Sequence, residues 1–251
     1  ITPNSIVTIN DLFRKTISGD KRLNKIHMDG KYAYFAAGFG VIKFDVERQE
    51  FSDTYLVESN GANLKVNDIT IVDNFLYAAT EIGVRYCQIN NPQINYFGAW
   101  NQDNSLPEPN AEYTIIESFG KNVYLNKPGE MGTGDTLFFS DTVNSSWTVI
   151  TELEGYSNYS ISAYLNFVVF SHGGQVSCYN DNWHEVRRIH NYGDGEYVSS
   201  RDAILSADSV MWVGDNRVGL IKSERRFRYE IINPPSPKSG GVDGIDIRNN
   251  N

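Results

Sequence analysis

A single pattern returns along this chain at nearly constant spacing, and it limits the possible folds more than any other feature. Isoleucines stand at Ile26, Ile69, Ile116, Ile161 and Ile204, separated by 43, 47, 45 and 43 residues. A second set, Tyr34, Tyr77, Tyr124, Val169 and Trp212, keeps the same irregular intervals. Gly40-Val41 superimposes on Gly83-Val84, which places Ala36 over Ala79 without a gap. Two positions sharing one irregular spacing mark an internal repeat, and such a period means a stacked array of small units.

One unit shows what each repeat folds into. Val66 to Val72 alternates in polarity and reads as a half-buried strand, and Asp73-Asn74 turns the chain. Phe75 to Thr80 is apolar on both faces, a bend follows at 81–83, and 84–89 and 95–100 read as third and fourth strands. Alternation marks a half-buried strand, while a short apolar run between turns marks one buried on both sides. Four strands in forty-odd residues is one blade of a β-propeller. The fold class expected is therefore all-β, a propeller segment of about five four-stranded blades spanning residues 1–251 as one domain. The units fall at about 24–57, 67–100, 113–151, 158–190 and 201–232, with partial strands at 4–10 and 242–250. Those partial strands imply a protein that continues on both sides, or two ends that share one incomplete blade. The repeated isoleucines and aromatics are expected to be core between blades.

Composition agrees with an all-β reading. Fifteen Tyr and 13 Phe accompany 21 Gly, the mixture of strand formers and turn residues that such folds use. The formal net charge of −9 argues against nucleic acid as partner, since phosphate binding needs a concentrated basic face. The densest basic stretch, 222–228, spans an expected hairpin and reads as a solvated edge. No run is long and apolar enough for a transmembrane helix.

Chemistry-bearing residues are scattered. The four histidines, His27, His172, His184 and His190, occupy unlike strand positions and form no metal-ligand pattern. The Gly-rich stretch 129–135 lacks the ending of a phosphate loop and precedes a strand, and 191–196 is too short for a calcium loop. Cys87 and Cys178 belong to third strands of different units and are expected as free, buried thiols. Asp68 and Asp202 stand near the starts of inner strands, where propeller enzymes keep their acids. Corresponding positions hold Lys25, Thr114 or Ile115, and Ser160, so no ring of acids forms, and strand-end roles are expected for both. No catalytic, cofactor-binding or metal-binding residue is assigned, no cofactor is expected, and the ligand-binding residues are unknown. The third unit carries an insertion at 127–135 and a degenerate aspartate-box hairpin at 140–147, with Thr142 and Asn144 at the Asp and Gly positions.

Asp11-Leu12-Phe13-Arg14-Lys15, Gly19-Asp20-Lys21, the run from Tyr32 to Ile42 and Asp53-Thr54-Tyr55 resemble the N-terminal propeller of the PorZ family, from the type nine secretion system of Bacteroidetes. Val66-Asn67-Asp68-Ile69, Leu76 to Thr80 and Gly83-Val84 fit that family and also the wider group of two-component regulator propellers. Tyr34, Tyr77 and Tyr124 replace the regulator group's usual Trp, which only Trp212 keeps. The resemblance implies an exported protein, periplasmic or on the outer-membrane surface. It implies a second propeller and a C-terminal domain elsewhere in the protein. Its partners would be a protein, sortase-like in that family, or an outer-membrane glycan or lipopolysaccharide. The function expected is a non-catalytic binding or scaffold propeller. The alternatives are the ligand-sensing part of a hybrid two-component histidine kinase and, by fold analogy alone, a carbohydrate-active enzyme.

Overall fold

The structure, a computed structural model, describes residues 19–245 apart from 59, 61, 131–132, 142–145, 154, 194–196, 226–227 and 233–243. The partial strands expected at 4–10 and 242–250 lie outside the described residues, save Gly244 and Ile245.

The described strands form five four-stranded antiparallel sheets. The first holds β1 (Asp20–Asp29), β2 (Tyr32–Gly38), β3 (Gly40–Asp45) and β4 (Glu50–Tyr55). The second holds β5 (Val66–Val72), β6 (Phe75–Thr80), β7 (Val84–Gln88) and β8 (Asn101–Gln102). The third holds β9 (Ile115–Phe119), β10 (Asn122–Lys127), β11 (Thr136–Ser140) and β12 (Thr148–Val149). The fourth holds β13 (Asn158–Tyr164), β14 (Phe167–His172), β15 (Gln175–Asn180) and β16 (Glu185–Ile189). The fifth holds β17 (Ser200–Leu205), β18 (Met211–Asp215), β19 (Gly219–Arg225) and β20 (Arg228–Ile232). Strands are paired in chain order within every sheet, the up-and-down blade of a β-propeller. Among the described residues no helix is long and apolar enough to cross a membrane. The chain divides into two compact units, Ile1–Ile116 and Glu117–Asn251.

Local chemistry sets the turns. Asp73 and Asn74 both take positive φ, 47° and 65°, the two-residue hairpin turn that suits the twist of the flanking strands. Gly83 has φ 79°, and a Cβ there would lie 2.1 Å from the Pro109 carbonyl oxygen, so the repeat's second-to-third-strand glycine is required on both counts. Its counterpart Gly40 has φ 145° and would place a Cβ 2.2 Å from the Tyr55 carbonyl oxygen.

Core forms between successive sheets within each unit. In the first, Tyr34, Ala36, Val41 and Tyr55 pack with Val66, Ile69, Leu76, Ala78 and Trp100. In the second, Val169, Val176 and Cys178 pack with Ala203, Met211, Val213 and Ile221. Burying each of the valine, leucine, isoleucine and methionine side chains among them contributes about 1.5–3 kcal/mol. Ile69, Ile116 and Ile161 are buried on the first strands of their sheets, as expected.

Two isoleucines depart from that expectation. Ile26 is 55% exposed, together with Leu23 and Met28 on the same strand. Ile69 is covered by residues of the sheet before its own, and no described sheet precedes β1. Ile204 is half-buried because the repeat frame slips by one residue in the fifth blade. Ile69 pairs with Ala78 and Thr70 with Tyr77, whereas Ala203 pairs with Val213 and Ile204 with Trp212. Ala203 thus takes the isoleucine's place. A longer turn between β17 and β18 restores the spacing to Trp212, and a one-residue slip reverses the face that a side chain meets. The strand expected at 95–100 also lies elsewhere. Phe97–Ala99 make a 3-10 turn, the buried Trp100 indole N–H donates to the Ile94 carbonyl at 2.8 Å, and the fourth strand follows as β8. A buried indole N–H needs an acceptor, and meeting that need folds the segment back.

Candidate functional site

The inner strands carry a repeated irregularity. A register shift falls between Leu23 and Lys25, Val66 and Asp68, Asn158 and Ser160, and Ser200 and Asp202. A bulge of this kind re-aims the residues beside it. It turns Asp68 so that one oxygen accepts from the Ile69 N–H at 2.8 Å and the other from the Ile116 N–H at 3.1 Å. Asp202 repeats the arrangement with the N–H groups of Ala203 at 3.0 Å and Ile245 at 2.9 Å. Burial raises the Asp68 carboxyl to about 6, against the opposing influence of Lys25 and the two N–H donors. Each acid pins its own strand to the opening residue of the next repeat. The strand-end role expected of both is what their bonds provide, and the third member of the series, Ser160, has a buried hydroxyl with no partner among the described residues.

Other sequence candidates fall in unrelated places. His172 is fully buried against Phe170 and Tyr156, with Nδ1 2.5 Å from Asn158 Oδ1. Burial pushes its imidazole down to about 4, so it is neutral near pH 7. His27 is half-buried on β1, and His184 and His190 are exposed at either end of β16. Among the described residues no three His, Cys, Asp or Glu side chains gather as a metal site would require. Cys87 lies on β7 and Cys178 on β15, the third strands expected, and both are buried. Asp135 ties the two ends of the insertion at 127–135 together. Asp135 accepts from the Gly129 N–H, the Asn126 amide and the Asn158 N–H, at 2.9 to 3.0 Å. In the basic stretch, Lys222 pairs with Glu224 at 2.7 Å, and Glu230 lines the same shallow hollow as Lys222 and Arg228. Thr142 and Asn144 of the box-like hairpin, and 194–196, lie outside the described residues.

A cavity that no motif announced opens in the second unit, between the third and fourth blades, with a volume of about 360 Å³. Its size is within the range of small-ligand clefts. From the third blade come Tyr124 on β10, Phe139 on β11 and Ile150 just past β12. A 3-10 turn, Thr151–Leu153, sets Glu152 on the rim and buries Leu153 as its anchor. The fourth blade adds Asp181 and Trp183 from the hairpin between β15 and β16.

That hairpin is tightly held. Asn180 Oδ1 accepts from the N–H groups of Asn182 at 3.1 Å and His184 at 2.9 Å, and the Trp183 N–H donates to the Asn180 carbonyl. Trp183 has φ 58°, a left-handed conformation that is costly for a bulky side chain. Packing holds it there. Its ring lies nearly parallel to Tyr179 at 4.7 Å and to Tyr124 at 6.0 Å, with Phe170 edge-on at 5.9 Å. Burial raises the Tyr124 hydroxyl, which a hydrogen bond from Asn122 opposes. The result is a rigid aromatic wall beside two exposed carboxylates. Tyr124 was legible as a repeat position, whereas Glu152, Asp181, Trp183 and Phe139 were not. The one local signal was an Asn-Asp-Asn turn followed by Trp, where a small residue would be usual.

Comparison with solved structures places the fold. PorZ of Porphyromonas gingivalis, described as an essential surface component of the type-IX secretion system, superimposes with a TM-score of 0.67 at 16% identity, over 86% of this chain and 27% of that one. The extracellular domain assigned to the hybrid two component system BT3049 of B. thetaiotaomicron gives 0.62 at 14%, over 97% and 32%. That assigned to BT4673 gives 0.63 at 13%, over 90% and 30%. The chain thus spans about a third or less of the length of these structures, and the likeness is one of fold. No curated protein sequence matches it. The first two blades carry a closer signature, for residues 1–101 match the family model of the N-terminal β-propeller domain of PorZ of the type nine secretion system.

Proposed function

We propose that this chain is a binding and scaffold propeller of a PorZ-like exported surface protein serving type nine secretion, with no chemistry of its own. The carrying observation is the family match over residues 1–101. The likeness to PorZ over 86% of the chain supports extending it through the later blades. The inner-strand acids support binding over catalysis. Both oxygens of the buried Asp68 are engaged by backbone N–H groups, so it is poorly placed to move a proton to or from a substrate. The protein would be exported, as are the neighbours described as surface or extracellular.

The second reading, a ligand sensor, is favoured by the comparable fit of the two extracellular regulator domains. Deleting the gene and following a type nine cargo separates the two. The scaffold reading expects cargo to accumulate behind the outer membrane. Undisturbed secretion together with loss of a sugar-induced transcript would establish the sensor instead.

A further inference from the structure

The cleft between the third and fourth blades carries two carboxylates that no lysine or arginine among the described residues pairs with. Glu152 Oε2 has the Thr151 hydroxyl at 3.5 Å, and Asp181 Oδ1 the Asn182 amide at 3.2 Å. Among the described residues neither carboxylate is ion-paired with a lysine or arginine. Arg188, nearby on β16, is committed to Glu185. The same cleft is lined by the apolar and aromatic side chains of Phe139, Ile150 and Trp183, together with the polar Asn122 and Thr151.

The geometry points to this cleft as the receptor for a lysine or arginine side chain presented by a protein partner. Such a side chain has an apolar stem that covers hydrophobic surface and a cationic head that meets carboxylates at the rim. Aromatic rings add attraction for a cation held near them. Two like charges at the rim repel an anionic glycan and discriminate by sign. The strained, packed hairpin holds Trp183 ready, so little ordering is needed on binding. A volume of about 360 Å³ admits the basic side chain and part of a neighbouring residue. This inference rests on the binding reading above and names the chemistry of its partner.

The test uses the 251-residue chain with its four tryptophans, whose indole signals are resolved in a ¹H–¹⁵N spectrum and assigned to Trp183 through Trp183→Phe. The probes are acetyl-Gly-Arg-Gly-amide and its citrulline counterpart, equal in shape and neutral. The arginine peptide should shift the Trp183 signal saturably, and the shift should weaken with added salt. Glu152→Gln or Asp181→Asn should each weaken binding about two- to fivefold, and both together should abolish saturation. Unchanged signals from the other tryptophans show that the variants fold. Equal shifts with the citrulline peptide, no shift with the arginine peptide, or unaltered affinity in the double variant would overturn the assignment. Any of those outcomes removes the cleft while leaving the secretion experiment to judge the scaffold reading.

Discussion

In the first unit, polar side chains at the bulge tie one inner strand to the next; in the second, the bulge residues themselves are of another kind. At the bulge, Asn24 donates to the Val66 carbonyl at 2.7 Å and Asn67 to the Tyr113 carbonyl at 2.8 Å. Beside Asn67, Asp68 takes the Ile116 N–H, so adjacent residues satisfy one donor and one acceptor of the following strand. In the second unit the bulge residues are Tyr159 and Arg201, whose guanidinium lies 4.5 Å above the tyrosine ring. In the fourth blade Ser160 stands in the acid's place with no partner among the described residues, and Ser162 Oγ donates to the Ala203 carbonyl at 2.6 Å instead. The backbone geometry recurs throughout, whereas the chemistry on it recurs only in part, since Asp202 keeps the acid's two bonds and Ser160 does not. One bulge therefore accepts either a directional hydrogen-bond pair or a looser stacked contact.

The largest effect that could break this contrast is at Asp68. Asp68→Ala leaves two buried N–H groups unpaired and should cost about 3–4 kcal/mol, read as a lower midpoint in urea unfolding. Asp202, half-buried, should cost about 1 kcal/mol when truncated. Equal costs would show that burial does not govern these pins. The pH dependence sharpens the same point. Asp68 binds its proton more tightly folded, at about 6 against an ordinary 3.8, so its contribution is fullest below pH 3.8 and is lost as pH rises through 6. Wild type should lose up to about 3 kcal/mol relative to Asp68→Asn between pH 4 and 7, in unfolding curves taken across that range. A flat difference would remove desolvation as the cause.

Smaller changes probe the bulge residue itself. Asn67→Ala should cost about 1–2 kcal/mol by removing the bond to the Tyr113 carbonyl, and Arg201→Ala about 0.5 kcal/mol, since Tyr159 is 41% exposed. Thermal midpoints in reversed order would mean that the stacked pair is the firmer tie. At the bottom of the scale, Ser160→Ala should be neutral or stabilising by up to about 1 kcal/mol, because it removes a buried hydroxyl that no described group satisfies. A clear loss of stability there would reveal a partner for that oxygen.

Much of the architecture was legible because strand periodicity and turn residues act locally. β5 and β6 run over the residues that alternation and a short apolar run marked, and Asp73-Asn74 turn as their left-handed preference dictates. Ile204 misled for a physical reason. An extra length of turn compensated a shifted strand, and a spacing count cannot separate the two. The strand expected at 95–100 failed because the Trp100 indole sought an acceptor six residues earlier, a demand that alternation does not encode. Glu152, Asp181 and Trp183 stayed silent because they belong to two repeats and carry no shared pattern.

By itself the sequence determined the repeat length, the four-strand unit, the third-strand cysteines and the expectation that Asp68 and Asp202 serve strand ends, since each follows from spacing and side-chain type. Tertiary structure decided which residue of a repeat faces inward in the fifth blade, what the bulge positions bond to and where an acidic, aromatic-walled cleft opens. Those depend on how one sheet's side chains meet the next, and contacts between residues distant in the chain leave no period to count.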